Sequence, residues 1–160
     1  MTPRERLLTV LKGGIPDRVP VTPDLSNMIP CRLTGRPFWD VYLYNDPPIY
    51  EAFITAAKHF NLDSLMLGNF NLAFPGDAAP GGRPAGRFIV RRDAEMIVTQ
   101  YAYTDGAAPE WHPTVQVFRV ADSPVWGVAP SKIGLPEIPA EYEPLEGVKP
   151  SRTDPPNSPA

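Results

Sequence analysis

A change of period near residue 75 constrains this chain more than any other feature. Before it, apolar residues recur at helical spacing, and after it side chains alternate residue by residue. A 3.6-residue period places one helix stripe on a core, while a two-residue period sorts side chains onto the two faces of a sheet. The first part therefore reads as helices with buried strands, and the second as an antiparallel meander.

Thr2-Pro3-Arg4-Glu5 has the form of a capping box with proline at the first helical position. Leu7, Leu8 and Leu11 form one stripe, and Gly13-Gly14 stops the helix. Pro16-Asp17 makes a turn, and Arg18–Val21 reads as a short strand whose Pro20 limits pairing on one side. Residues 22–45 look irregular and aromatic-rich, with a helical turn starting over Trp39–Val41. Asp46 is predicted to cap a second helix with Pro47 at its first position. Tyr50, Phe53, Ile54, Ala57 and Phe60 give that helix an inward face, and Asn61 ends it. The apolar run Leu62–Leu67 suits a strand buried on both faces.

Strand, helix and buried strand in succession are the unit of parallel α/β architecture. Phe88–Arg92, Glu95–Tyr103 and Thr114–Val120 then follow without intervening helices, the first two joined through Arg92-Asp93-Ala94. The organisation predicted is 1–75 as an α/β part, 76–128 as the meander and 129–160 as a Pro-rich tail without fixed structure. Nine of the 22 prolines fall between Pro124 and Pro159.

A net charge of −3 argues against a general nucleic-acid or anionic-membrane surface. The dense basic cluster Arg87, Arg91 and Arg92 reads as solvated charge at a strand end. Cys31 stands alone, so no internal disulfide is available and a reducing cytoplasm is the simplest compartment. No run approaches the roughly 20 apolar residues of a membrane span.

The opening TPRERLLTVLKGGIPDRVPV resembles the start of the uroporphyrinogen decarboxylase superfamily. The later GRPFWDVYLYNDPPIYEAFITAAKHFNLDSLML resembles a less characterised or methyltransferase-like branch of it. The resemblance covers residues 2–72 well and the meander more loosely. It implies a partial (β/α)8 barrel carrying an inserted antiparallel meander. A whole barrel typically needs roughly 250 residues, so a chain of 160 is expected to be inactive alone. A small-molecule ligand belongs to the full-length family. Self-association, or a chain completing the barrel, is the partner expected, with no nucleic acid and no membrane.

Family decarboxylases hold substrate carboxylates with arginines after the first strand. The matching Thr22–Asn27 contains none, and Arg32 and Arg36 come later and out of register. The family aspartate after the second strand is matched by Gly68-Asn69-Phe70-Asn71, and asparagine cannot shuttle a proton. Cobamide-dependent methyltransferases of the superfamily take zinc ligands from the later barrel half, which has no counterpart here. Cys31, His59 and His112 lack metal-ligand spacing, and Gly81-Gly82 does not join a strand to a helix. No catalytic residue, metal site or cofactor is assigned. Asp24, Asn69 and Asn71, each following a predicted strand end, are the candidate substrate-binding residues.

Overall fold

The computed structural model describes residues 1–64 and 83–149. They form a mixed α and β structure with four helices and a five-stranded antiparallel sheet.

Helix α1 (Pro3–Leu11) starts as its sequence dictates. Thr2 Oγ1 accepts from the Glu5 N–H, and the Glu5 carboxylate accepts from the Thr2 N–H. Gly13, at φ 77°, takes the left-handed turn that ends it. The stripe is another matter: Leu8 and Leu11 face solvent, and the buried residue of this helix is Arg6. Residues 18–21, predicted as a short strand, open on a bend at Arg18 and join no ladder among the described residues. Of the predicted strand Leu62–Leu67, the part beyond Ser64 lies outside the described residues.

Helix α2 (Met28–Leu33) occupies a stretch that reads as irregular, and α3 (Phe38–Tyr42) falls where a helical turn is predicted. Helix α4 (Ile49–His59) begins two residues later than Asp46 would allow as its cap. Pro48 is the cap residue, and Asp46 instead forms ion pairs with Arg36 (2.8 Å) and Lys149 (2.9 Å). The inward face of α4 is also turned from the predicted one. Ala52, Phe53 and Ala56 are buried, whereas Ile54 and Phe60 are about half exposed. Asn61 ends the helical run in the left-handed region at φ 52°.

Strands β1 (Ala85–Arg92), β2 (Met96–Tyr103) and β3 (Glu110–Arg119) make the predicted meander. Asp93 closes the first hairpin by accepting from the Glu95 and Met96 N–H groups. Two further strands, β4 (Val125–Val128) and β5 (Glu143–Pro144), complete the order β4-β3-β2-β1-β5. The Pro-rich stretch is therefore no free tail as far as Lys149. A 3-10 turn (Pro130–Ile133) and Leu135 pack on the sheet, β5 pairs with β1, and the Lys149 N–H donates to Tyr44 O.

The sheet has an apolar core on each face. Ile89, Ile97 and Phe118 pack against Leu43 and the aromatic groups of α3. Val98, Val115 and Val117 pack beneath Val128, Ile133 and Leu135. The Gln100 amide is buried on that second face and ties down its cover, donating to His112 O (2.7 Å) and Glu137 O (3.2 Å). No helix among the described residues is long and apolar enough to cross a membrane.

Candidate functional site

The predicted site lies at the exits of residues 18–21 and 62–67. Asp24 is exposed there and carries no hydrogen bond or ion pair among the described residues. Asn69 and Asn71 fall outside the described residues, so their convergence with Asp24 stays an expectation.

What the structure does place beside this exit is a clasp of charges. The Asp63 side chain is fully buried. It accepts from Arg6 Nη1, from both terminal nitrogens of Arg18 (2.7 and 2.9 Å) and from the Val21 N–H (2.9 Å). The Asp63 N–H in turn donates to Val21 O at 2.9 Å. Arg6, with a side chain only 7% exposed, also takes Asp17 bidentately through Nε (2.6 Å) and Nη2 (2.8 Å). The terminal amine sits 3.0 Å from Asp17.

This geometry fixes protonation. The Val21 N–H, then Arg6 and Arg18, hold the Asp63 carboxyl below its ordinary range. Arg6 does the same to Asp17, assisted by the terminal amine, and Asp17 raises Arg6 in return. Both carboxylates are thereby favoured in the charged form. The clasp binds segments together.

An open cleft of about 400 Å³ lies against it, between Pro3 at the start of α1 and Ile54, Ala57, Lys58 and Ser64 around the end of α4. The other polar candidates are separated. Cys31 is completely buried between α2 and α3, and burial pushes its thiol up to about 11. His59 meets the Phe60 ring edge-on at 4.8 Å, and His112 Nδ1 lies 3.0 Å from Thr114 Oγ1. Arg36 is paired with Asp46, Arg91 with Asp93, and Arg92 with Glu143 and the Tyr44 hydroxyl. Among the described residues, no group of three or more His, Cys, Asp or Glu side chains is placed to hold a metal ion.

Sequence reasoning passed over Arg6 and Asp63. A signal was present: Asp63 is the one acid inside an apolar run that reads as buried on both faces. A carboxylate there requires a cation and N–H donors. In the folded chain Arg6 and Arg18 supply the cations and Val21 the N–H.

Comparison with protein-family models, with curated proteins and with solved structures gives no match.

Proposed function

We propose that residues 1–64 are the opening unit of a uroporphyrinogen decarboxylase-like barrel, and that the chain works by associating with the polypeptide that completes it. One observation carries the reading. Arg6, Asp17 and Arg18, which belong to the motif bearing the resemblance, join Asp63 to pin Val21 beside the start of the 62–67 run. Neighbouring first and second strands are what a parallel barrel requires of these segments. The reciprocal bonds between Val21 and Asp63 supply the adjacency.

The apolar exposure supports the associative half of the proposal. Leu11, Ile15 and Val19 are 73%, 92% and 81% exposed around the same clasp. In a completed barrel these side chains would be covered, since clustered exposed apolar groups mark surfaces that meet a partner. Decarboxylation, or methyl transfer through a cobamide, would belong to the assembled protein. Asp24 would stand at the mouth of its ligand pocket.

Nuclear Overhauser contacts between residues 19–21 and 62–67 test the reading. The pattern expected is that of parallel neighbours; an antiparallel pattern, or separate sheets, would overturn it. Purified chain alone is expected to leave uroporphyrinogen unchanged, and coproporphyrinogen formation would contradict the associative role.

A further inference from the structure

Strand β5 joins the sheet beside an irregularity in β1. It pairs through Glu143 opposite Ile89 and Pro144 opposite Phe88. At the next residue β1 slips against β2: Ile89 faces Thr99 and Arg91 faces Val98, so Val90 is the extra residue of a bulge. Bulges bend a strand and re-aim its side chains, and they recur beside functional sites. Two concavities open at this point, and Val90 and Glu141 line both.

The first, of about 240 Å³, is an apolar slot in which Leu135, Pro136, Pro139 and Ala140 stand against Val90. Its wall is fixed to the sheet. Leu135 packs on the Val98 core, and Gln100, 1% exposed at the slot, donates to Glu137 O. The second concavity, of about 310 Å³, adds Arg91, Arg92, Tyr142 and Glu143. Its arginines are already neutralised, Arg91 by Asp93 at 3.0 Å and Arg92 by Glu143 at 3.1 Å. Glu141 pairs with no cation among the described residues. The charge left at the junction is therefore a single carboxylate at the end of an apolar slot.

We infer that this junction binds a small aliphatic ammonium compound. The alkyl stem lies in the slot against Val90, Leu135 and Pro139, where each methylene removed from water is favourable. The ammonium donates to the Glu141 carboxylate, a charge-assisted bond. Sites for drug-sized ligands measure roughly 300–1,000 Å³, so a slot smaller than these takes a short stem. This site belongs to the sheet and stands independently of the barrel reading.

The test is titration of the full chain with n-butylamine at pH 7, where the amine is protonated. Binding is read from NMR shifts of the Val90, Leu135 and Ala140 methyl groups. Butanol keeps the stem without the charge, and methylammonium keeps the charge without the stem. Saturable shifts with butylammonium are expected, with both comparison compounds at least about tenfold weaker. Glu141→Gln is expected to weaken butylammonium about tenfold. It should leave the ligand-free thermal midpoint within about a degree, because an exposed side chain without a partner contributes little to folding. Absence of saturable shifts at these methyl groups overturns the proposal, as does equal binding of butanol or undiminished binding by Glu141→Gln. Tighter binding of N-acetyl-L-lysine N-methylamide than of butylammonium also overturns it, in favour of a lysine carried by a partner chain.

Discussion

The clasp around α1 and the sheet with α3 are stabilised in opposite ways. Around the clasp, charge is inside and apolar surface outside: Arg6 and Asp63 are buried while Leu11, Ile15 and Val19 face solvent. In the sheet the usual order holds, with Phe118, Val98 and Val115 fully buried and the ion pairs of Arg83, Arg91 and Arg92 at its rim. Buried apolar packing is non-directional and tolerates adjustment. A buried carboxylate shared by two guanidinium groups is directional and fails when one partner is lost. The sheet is therefore held by its apolar core, while the clasp fixes the positions of segments whose apolar sides are exposed.

Substitutions separate the two directly. Phe118→Ala removes a fully buried ring between the sheet and α3. It is expected to destabilise the whole sheet by about 3–5 kcal/mol, read by chemical denaturation. Asp63→Asn should act locally. It leaves Arg6 and Arg18 without their shared anion, so limited proteolysis is expected to cut near residues 12–20 while the meander survives. A loss of the sheet as large as that from Phe118→Ala would break the comparison.

Acid should reproduce the weaker, local effect. Asp17 and Asp63 titrate below their ordinary range in the folded chain because N–H groups and Arg6 favour their charged forms. Their stabilisation is intact above the unfolded value near 4 and is lost as pH falls through the lower folded values. Methyl NMR signals of Leu7 and Val21 are expected to shift below about pH 4, ahead of those of Val98 and Val117. Cys31 reports on the remaining helices. With its thiol pushed up to about 11 and fully buried, it should resist alkylation at pH 8 until α2 and α3 open.

Local rules made part of this structure legible. The Thr2 capping box, the α3 turn and the three strands of the meander follow from residues close together in sequence. Helix α2 was hidden because Pro30 sits inside it and six residues show little periodicity. Asp46 carried a cap signal, but its distant partners Arg36 and Lys149 claimed it. The order of residues 130–149 depends on Gln100 and β1, contacts that no local proline count contains. At the candidate site, Asp24 is exposed, and the strand predicted to precede it forms no ladder among the described residues. The clasp was not legible, because Arg6 and Asp63 are 57 residues apart and only folding makes them a pair.

The smallest effect on stability is expected from Leu11→Gln, and it tests the outward half of the comparison. Leu11 is 73% exposed, so removing its apolar surface should change chain stability by no more than about 0.5 kcal/mol. The same change places a polar amide on the surface proposed to meet completing polypeptide. Binding to that polypeptide, measured by calorimetry, should weaken several-fold, because an uncompensated amide would be desolvated at the contact. A clear loss of stability without loss of binding would make Leu11 part of this chain's own core. The clasp region would then be stabilised by apolar packing after all, as the sheet is.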